Sequence, residues 1–166
     1  MRLEVMGAVA PTLVFGIGNP SRGDDAIGPL LVERLAALKD IRRPDGQGLT
    51  DVDLLTDFQL QPEHALDLRG RRRVFLVDAS QDPSAPWTLE ALMPQNGLSC
   101  STHSTTPGGL LAVYSRLYGR PPSTWLLAVQ GEGFALGAGL TTVAQANLNA
   151  ALQHLLHVLG SDVGTR

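Results

Sequence analysis

The side chains in this sequence best suited to chemistry are acidic, and three of them fall beside glycine-rich or apolar runs. Asp24 and Asp25 stand together after Gly16-Ile17-Gly18-Asn19-Pro20-Ser21-Arg22-Gly23. Asp78 closes the apolar run Val74-Phe75-Leu76-Val77. His103 lies in a polar stretch, between Ser101-Thr102 and Ser104-Thr105. One aspartate of the pair can cap the helix that follows and favour its dipole. A cap needs a single carboxylate, so the other is left available. Two carboxylates and one imidazole brought to a common edge would form a divalent-metal site with open positions.

Other chemistries fit these residues less well. Gly16 and Gly18 begin a dinucleotide-type glycine pattern, but position 21 is Ser; Gly18 and Gly23 match the glycines of a P-loop, but Asp24 and Asp25 stand where Lys and Ser or Thr belong. A phosphate cradle needs positive potential, and adjacent carboxylates oppose it. Cys100 precedes His103 by three residues, a spacing that does not itself bring thiol and imidazole together. No Gly-x-Ser-x-Gly elbow occurs. His64 beside Glu63, and His154 and His157 near the C-terminus, read as surface or packing residues away from any strand's C-terminal edge.

The elements that must position these groups follow from periodicity. Thr12–Gly16, Val52–Thr56, Val74–Asp78 and Trp125–Val129 are short apolar runs bounded by turn residues, and Trp87–Leu92 reads as an edge strand. Apolar positions three and four apart predict helices from Asp24 or Asp25 to about Leu38, from Pro107 to Tyr118 with Gly119 as the stop, and from a Thr141 or Thr142 cap to about Leu159. Pro62–Leu68 reads as a short helix ended by Gly70. Strands alternating with helices predict an α/β fold: a single three-layer domain, with a mostly parallel twisted sheet of about five strands and helices on both faces. In such sheets ligands bind beyond the carboxyl ends of the strands, where Asp25, Asp78 and the lead-in to the 107–118 helix would lie.

The chain has 166 residues, is 43% hydrophobic and carries a net charge of −3, which fits one domain with a substantial core. We expect residues 1–11 to be a lead-in that need not be ordered, 12–160 to be the domain and 161–166 a tail. A single cysteine excludes an internal disulfide and suits a reducing compartment. Arg69, Arg71, Arg72 and Arg73 read as a solvated turn before a strand, too narrow a basic face for nucleic acid. No apolar run reaches the roughly 20 residues needed to span a bilayer, and the first eleven residues make a poor signal peptide. A cytoplasmic protein without a membrane segment is the expectation.

Phe15-Gly16-Ile17-Gly18-Asn19-Pro20 followed by Gly23-Asp24-Asp25-Ala26-Ile27-Gly28-Pro29 resembles the opening signature of the NiFe-hydrogenase maturation proteases. Val77-Asp78-Ala79 and Ser101-Thr102-His103 follow in the family's order and spacing, and the similarity covers about residues 12 to 158. Thr56-Asp57-Phe58-Gln59-Leu60-Gln61-Pro62-Glu63 is similar to members that serve cytoplasmic bidirectional, NAD-linked hydrogenases. Ala26 stands where the family often has Gly, and Asp25 where some members carry Glu.

The resemblance implies a hydrolase, an endopeptidase that removes the C-terminal extension of a hydrogenase large-subunit precursor. It assigns Asp25, Asp78 and His103 to nickel that arrives with that precursor, so Ni²⁺ is supplied by the substrate. Either nickel activates the water, or a carboxylate, Asp24 or Asp25, acts as general base as in an aspartyl peptidase. The expected partner is the precursor, with the enzyme a monomer. Two readings compete: a non-catalytic, nickel-sensing chaperone of the precursor, and a nucleotide-binding α/β protein.

Overall fold

The computed structural model describes residues 8–39, 49–95 and 105–161. Five strands form one sheet: β1 (Thr12–Ile17), β2 (Val52–Asp57), β3 (Arg73–Ser80), β4 (Trp87–Leu92) and β5 (Ser123–Gln130). Their order is β2-β1-β3-β5-β4, with every pairing parallel except the antiparallel β4–β5 edge. The helices are α1 (Ile27–Lys39), α2 (Pro107–Tyr118) and α3 (Thr142–Gly160), with 3-10 segments at Gly23–Ala26 and Pro62–Leu68. The α/β class, the mostly parallel five-stranded sheet and the edge position of Trp87–Leu92 are as the sequence predicts. No described helix is long and apolar enough to cross a membrane.

Strict alternation divides the central strands between two cores. Val14, Phe75, Val77, Leu127 and Val129 face Ile27, Leu31 and Leu35 of α1 and Leu148, Ala151 and Leu155 of α3. Leu13, Phe15, Val74 and Leu76 face Leu60, Ala65 and Leu68 in and beside the second 3-10 segment and Leu110, Leu111 and Tyr114 of α2. Because β1 and β3 are buried on both faces, their sequences read as continuous apolar runs. Helices therefore cover both sides of the sheet, giving the three layers.

The Thr141 cap and the Gly119 stop are as predicted, Thr106 is a cap that the sequence reading did not single out, and the start of α1 departs from expectation. The Thr106 hydroxyl accepts from Gly109 N–H at the start of α2, and the Thr141 hydroxyl from Ala144 N–H at the start of α3. Gly119 ends α2 with φ +86°. Helix α1 has no carboxylate cap: Asp24 and Asp25 lie in the 3-10 turn before it, and both side chains bond elsewhere. On α3, Ala144 enters the core and its neighbour Val143 is exposed.

The arginine cluster corrects a second expectation, because only part of it is a solvated turn. The Arg71 guanidinium pairs with Asp53 and donates to the Ala10 carbonyl at 2.9 Å. Arg73 donates to the carbonyls of Val158, Leu159 and Ser161, closing the C-terminal end of α3 where carbonyls lack helical partners. Arg69 and Arg72 are the exposed members, and Arg69 lies over the Tyr118 ring, 4.7 Å from its centroid.

Candidate functional site

Strand order reverses around β1, which has β2 on one side and β3 on the other, so a crevice opens at the carboxyl ends of β1 and β3. The last β1–β3 pair is Gly16 with Val77. Asp78 is thus the first β3 residue with no partner on the β1 side. The strand itself runs on to Ser80, two residues past the predicted end, because β5 continues to pair with it. The chain leaving β1 turns at Gly18 and Asn19 and returns through the 3-10 turn that holds Asp24 and Asp25.

Glycines make that return possible. Gly18 has φ +144°, and a Cβ on it would overlap the Asp25 carbonyl oxygen. A Cβ on Gly16 would overlap the Gly28 carbonyl oxygen. The glycine pattern therefore serves close approach of backbone to backbone. It does not form an anion cradle. Gly18 N–H donates to Asp57 O, Asn19 N–H to the Asp25 carboxylate and Ser21 N–H to Asn19 Oδ1. Arg22, Gly23, Asp24 and Asp25 N–H groups go to Asn19 O, Ala138 O, Gly133 O and Arg22 O. Pro20 has none to give. Each amide a phosphate would need already has a partner, which weighs against the nucleotide reading.

The two adjacent aspartates have different environments. Asp24 is fully buried, and its two oxygens accept four hydrogen bonds. Thr141 N–H reaches Oδ1 at 2.7 Å; Glu132 N–H, Gly133 N–H and the Thr141 hydroxyl reach Oδ2 at 2.7, 2.9 and 2.7 Å. Burial pushes its carboxyl up, but these donors outweigh burial and hold it below the usual carboxylate range. With its lone pairs taken, Asp24 is poorly placed to act as the general base. Asp25 is half-buried and accepts one bond on Oδ2, from Asn19 N–H at 2.7 Å.

Asp78 is half-buried and accepts from its neighbour Ala79 N–H at 2.9 Å on Oδ1. Among the described residues no donor reaches its second oxygen. Burial, and to a lesser degree the negative charge of Asp25, raise its carboxyl to about 7, with the Ala79 bond only partly offsetting them. The negative charge of Asp25 therefore acts on Asp78 across the β1–β3 crevice. Each has one oxygen positioned by a backbone amide and, among the described residues, one left open. Two carboxylates that act on each other in this way favour protonation of one of them or a nearby cation.

A carboxyl raised from 3.8 to about 7 stabilises the fold most below the unfolded value, and that contribution is lost as pH rises to about 7. Asp78→Asn should remove this dependence. We expect the variant to gain roughly 2 kcal/mol over the parent at pH 8 relative to pH 4, allowing for partial exposure. Urea unfolding of the metal-free proteins at both pH values measures it; equal differences at the two would refute the raised carboxyl.

His103 and Cys100 lie outside the described residues, and among the described residues no group of three or more His, Cys, Asp or Glu side chains could hold a metal ion. His154 stacks on Trp87 with centroids 4.4 Å apart and His157 is exposed, as packing and surface residues. His64 differs from expectation. It is buried against Phe15, with its Nδ1 accepting from Gln61 N–H at 2.8 Å and its Nε2 lying 3.0 Å from the Asp57 carboxylate at the end of β2. That places it near a strand's C-terminal edge after all; an acidic residue at a strand end, Asp57, was the available signal. A cleft of about 390 Å³ lined by Leu13, Lys39, Asp53 and Arg71 opens by the start of the strands, at the opposite end from Asp25 and Asp78.

No family profile matches the chain, and no curated protein is significantly similar to it in sequence. Solved structures share its fold. The NiFe-hydrogenase maturation protease HycI from Thermococcus kodakarensis KOD1 aligns with a TM-score of 0.67 at 21% identity, over 95% of this chain and 97% of that one. The hydrogenase maturating endopeptidase HybD from E. coli gives 0.67 at 22% identity, over 89% and 91%. A hydrogenase 2 maturation peptidase from Thaumarchaeota archaeon SCGC_AB-539-E09 gives 0.59 at 22%, over 90% and 97%.

Proposed function

We propose that this protein is an endopeptidase that trims the C-terminal extension of a NiFe-hydrogenase large-subunit precursor once nickel is in place. The observation that carries the reading is the Asp25–Asp78 pair at the β1–β3 crevice, in a fold shared nearly end to end with solved maturation proteases. Each carboxylate has one oxygen fixed by a backbone amide and, among the described residues, one open for a cation. Oxygen ligands and an imidazole suit Ni²⁺, which also accepts thiolates. His103 is the proposed third ligand.

In this reading nickel belongs to the substrate. A protein site of two carboxylates and one imidazole is incomplete alone and binds well only when the precursor supplies the remaining ligands. That makes cleavage conditional on maturation. With Asp24 saturated by hydrogen bonds, the groups left to orient or deprotonate the attacking water are Asp25, Asp78 and the substrate's nickel. The Thr56–Glu63 resemblance favours a cytoplasmic, bidirectional NAD-linked hydrogenase as the source of the precursor, with the enzyme acting as a monomer.

The test is the intact mass of the cognate precursor after incubation with this protein, with and without prior nickel loading. Loss of a short C-terminal peptide from the nickel-loaded form alone is the expected result. An unchanged mass of a competent, nickel-loaded precursor would overturn the endopeptidase reading and favour the chaperone.

A further inference from the structure

Asp24 is a fully buried carboxylate that the proposed reaction does not use directly. Among the described residues its side-chain partners all come from one distant segment, Gly131–Thr141, 108 to 117 residues away in sequence. The same segment meets the 19–25 turn at several other points. Asp24 N–H donates to Gly133 O at 2.7 Å, Gly23 N–H to Ala138 O at 3.2 Å, and Gly137 N–H to Ser21 O at 2.8 Å. Gly131 packs so closely that an added Cβ would lie 2.6 Å from the Asp24 Cβ. Gly23, with φ +55°, has no room for a Cβ beside the Gly133 carbonyl oxygen.

The 19–25 turn is also closed on itself and packed against Gly18, the residue that follows β1. Asn19 N–H holds the Asp25 carboxylate, and the Asp25 backbone lies against Gly18. The turn is thus held from outside by the Gly131–Thr141 segment and from within by the Asn19–Asp25 bond, with Asp25 next in sequence to the residue that makes most of the outside contacts. We infer that Asp24 is a positioning residue: by anchoring the Gly131–Thr141 segment to the 19–25 turn, it fixes Asp25 at the β1–β3 crevice. The pairing of aspartates then divides two tasks, one carboxylate locking the loop and its neighbour facing the reaction.

The Asp24 carboxylate meets four donors, and of these only the Thr141 hydroxyl can rotate to act as an acceptor. Asparagine at this position presents an NH₂ to backbone N–H groups and cannot reproduce the lock. The lock also predicts behaviour of the unaltered protein. Segments held by one anchor open together, so the amides of Asn19, Glu132, Gly133 and Thr141 should exchange with a common protection factor.

Two measurements test this, and only the second rests on the protease reading. The first is native-state hydrogen exchange of the parent, Asp24→Asn and Thr141→Val. We expect shared protection of the four amides in the parent, at least tenfold faster exchange at Asn19 in Asp24→Asn, and a smaller acceleration in Thr141→Val. Asn19 exchanging independently of the Glu132–Thr141 amides in the parent would overturn the inference even if no variant folds. The second is processing of nickel-loaded precursor well below each variant's melting temperature. For folded Asp24→Asn we expect kcat to fall by roughly 10- to 100-fold with little change in KM. A kcat that falls only with the unfolded fraction would reduce Asp24 to a stabilising residue and overturn the inference. An inactive parent would instead count against the protease reading and leave the exchange result standing.

Discussion

Substituting either Asp25 or Asp78 by Asn is expected to lower kcat/KM for processing of the nickel-loaded precursor by roughly 100-fold or more, on the order of what loss of a metal ligand costs when even supporting residues are worth about 10- to 100-fold. The fold should persist. Each side chain is half-buried and, among the described residues, accepts a single hydrogen bond, from Asn19 and Ala79 respectively, and Asn can keep that bond through its carbonyl oxygen. Stability therefore shifts by about 1 kcal/mol for Asp25→Asn. For Asp78→Asn it should rise above pH 7, because the amide carries no charge for burial or Asp25 to penalise. Activity and stability thus move in opposite directions in that variant. If both residues hold the same ion, the double variant loses little more than either single one, a non-additivity that a double-mutant cycle reads directly. Mass-spectrometric time courses alongside thermal melts supply both quantities. Wild-type processing by Asp78→Asn would remove the carboxylate from the mechanism.

The scaffold was legible in the sequence because its signals are local. Five apolar runs, the Thr141 cap and the Gly119 stop each act within a few residues, and the structure places them accordingly. The candidate site was legible only in part. Asp25 and Asp78 could be brought together by the rule that α/β ligands collect at carboxyl ends of strands. Which aspartate of the pair was committed to structure could not be read from the chain. Asp24 is fixed by donors 108 to 117 residues away, and nothing within a helical turn of it signals them. For the same reason Arg73 looked like part of a solvated turn, although its partners are the last carbonyls of α3 and its cap. His64 was misplaced because its pairing with Asp57 depends on the 3-10 segment folding back over Phe15.

Gly28→Ala should destabilise the protein by about 3 kcal/mol, near the upper end of what overpacking costs in a filled interior. Helix propensity alone predicts the opposite sign, since Ala is favoured over Gly by about 1 kcal/mol within a helix. Space decides. A Cβ at Gly28 would lie 2.6 Å from Ile17 N and 2.6 Å from Val77 O, and would overlap the Ile17 carbonyl. These are backbone atoms of β1 and β3 and cannot rotate away, so α1 must lift from the sheet and loosen Ile27, Leu31 and Leu35 in the core. For a chain of this size the melting temperature should fall by roughly 6–12 °C. Gly139→Ala is the control: it has nothing within 4 Å of its added Cβ, and its melting temperature should stay within about 2 °C of the parent. A Gly28→Ala protein as stable as that control would mean that α1 does not seat on the sheet this closely. The strand residues it presses on adjoin the site, Ile17 leading into the Gly18 turn and Val77 preceding Asp78. A shift of α1 therefore moves both carboxylates relative to each other, and processing should fall by more than the lost stability accounts for.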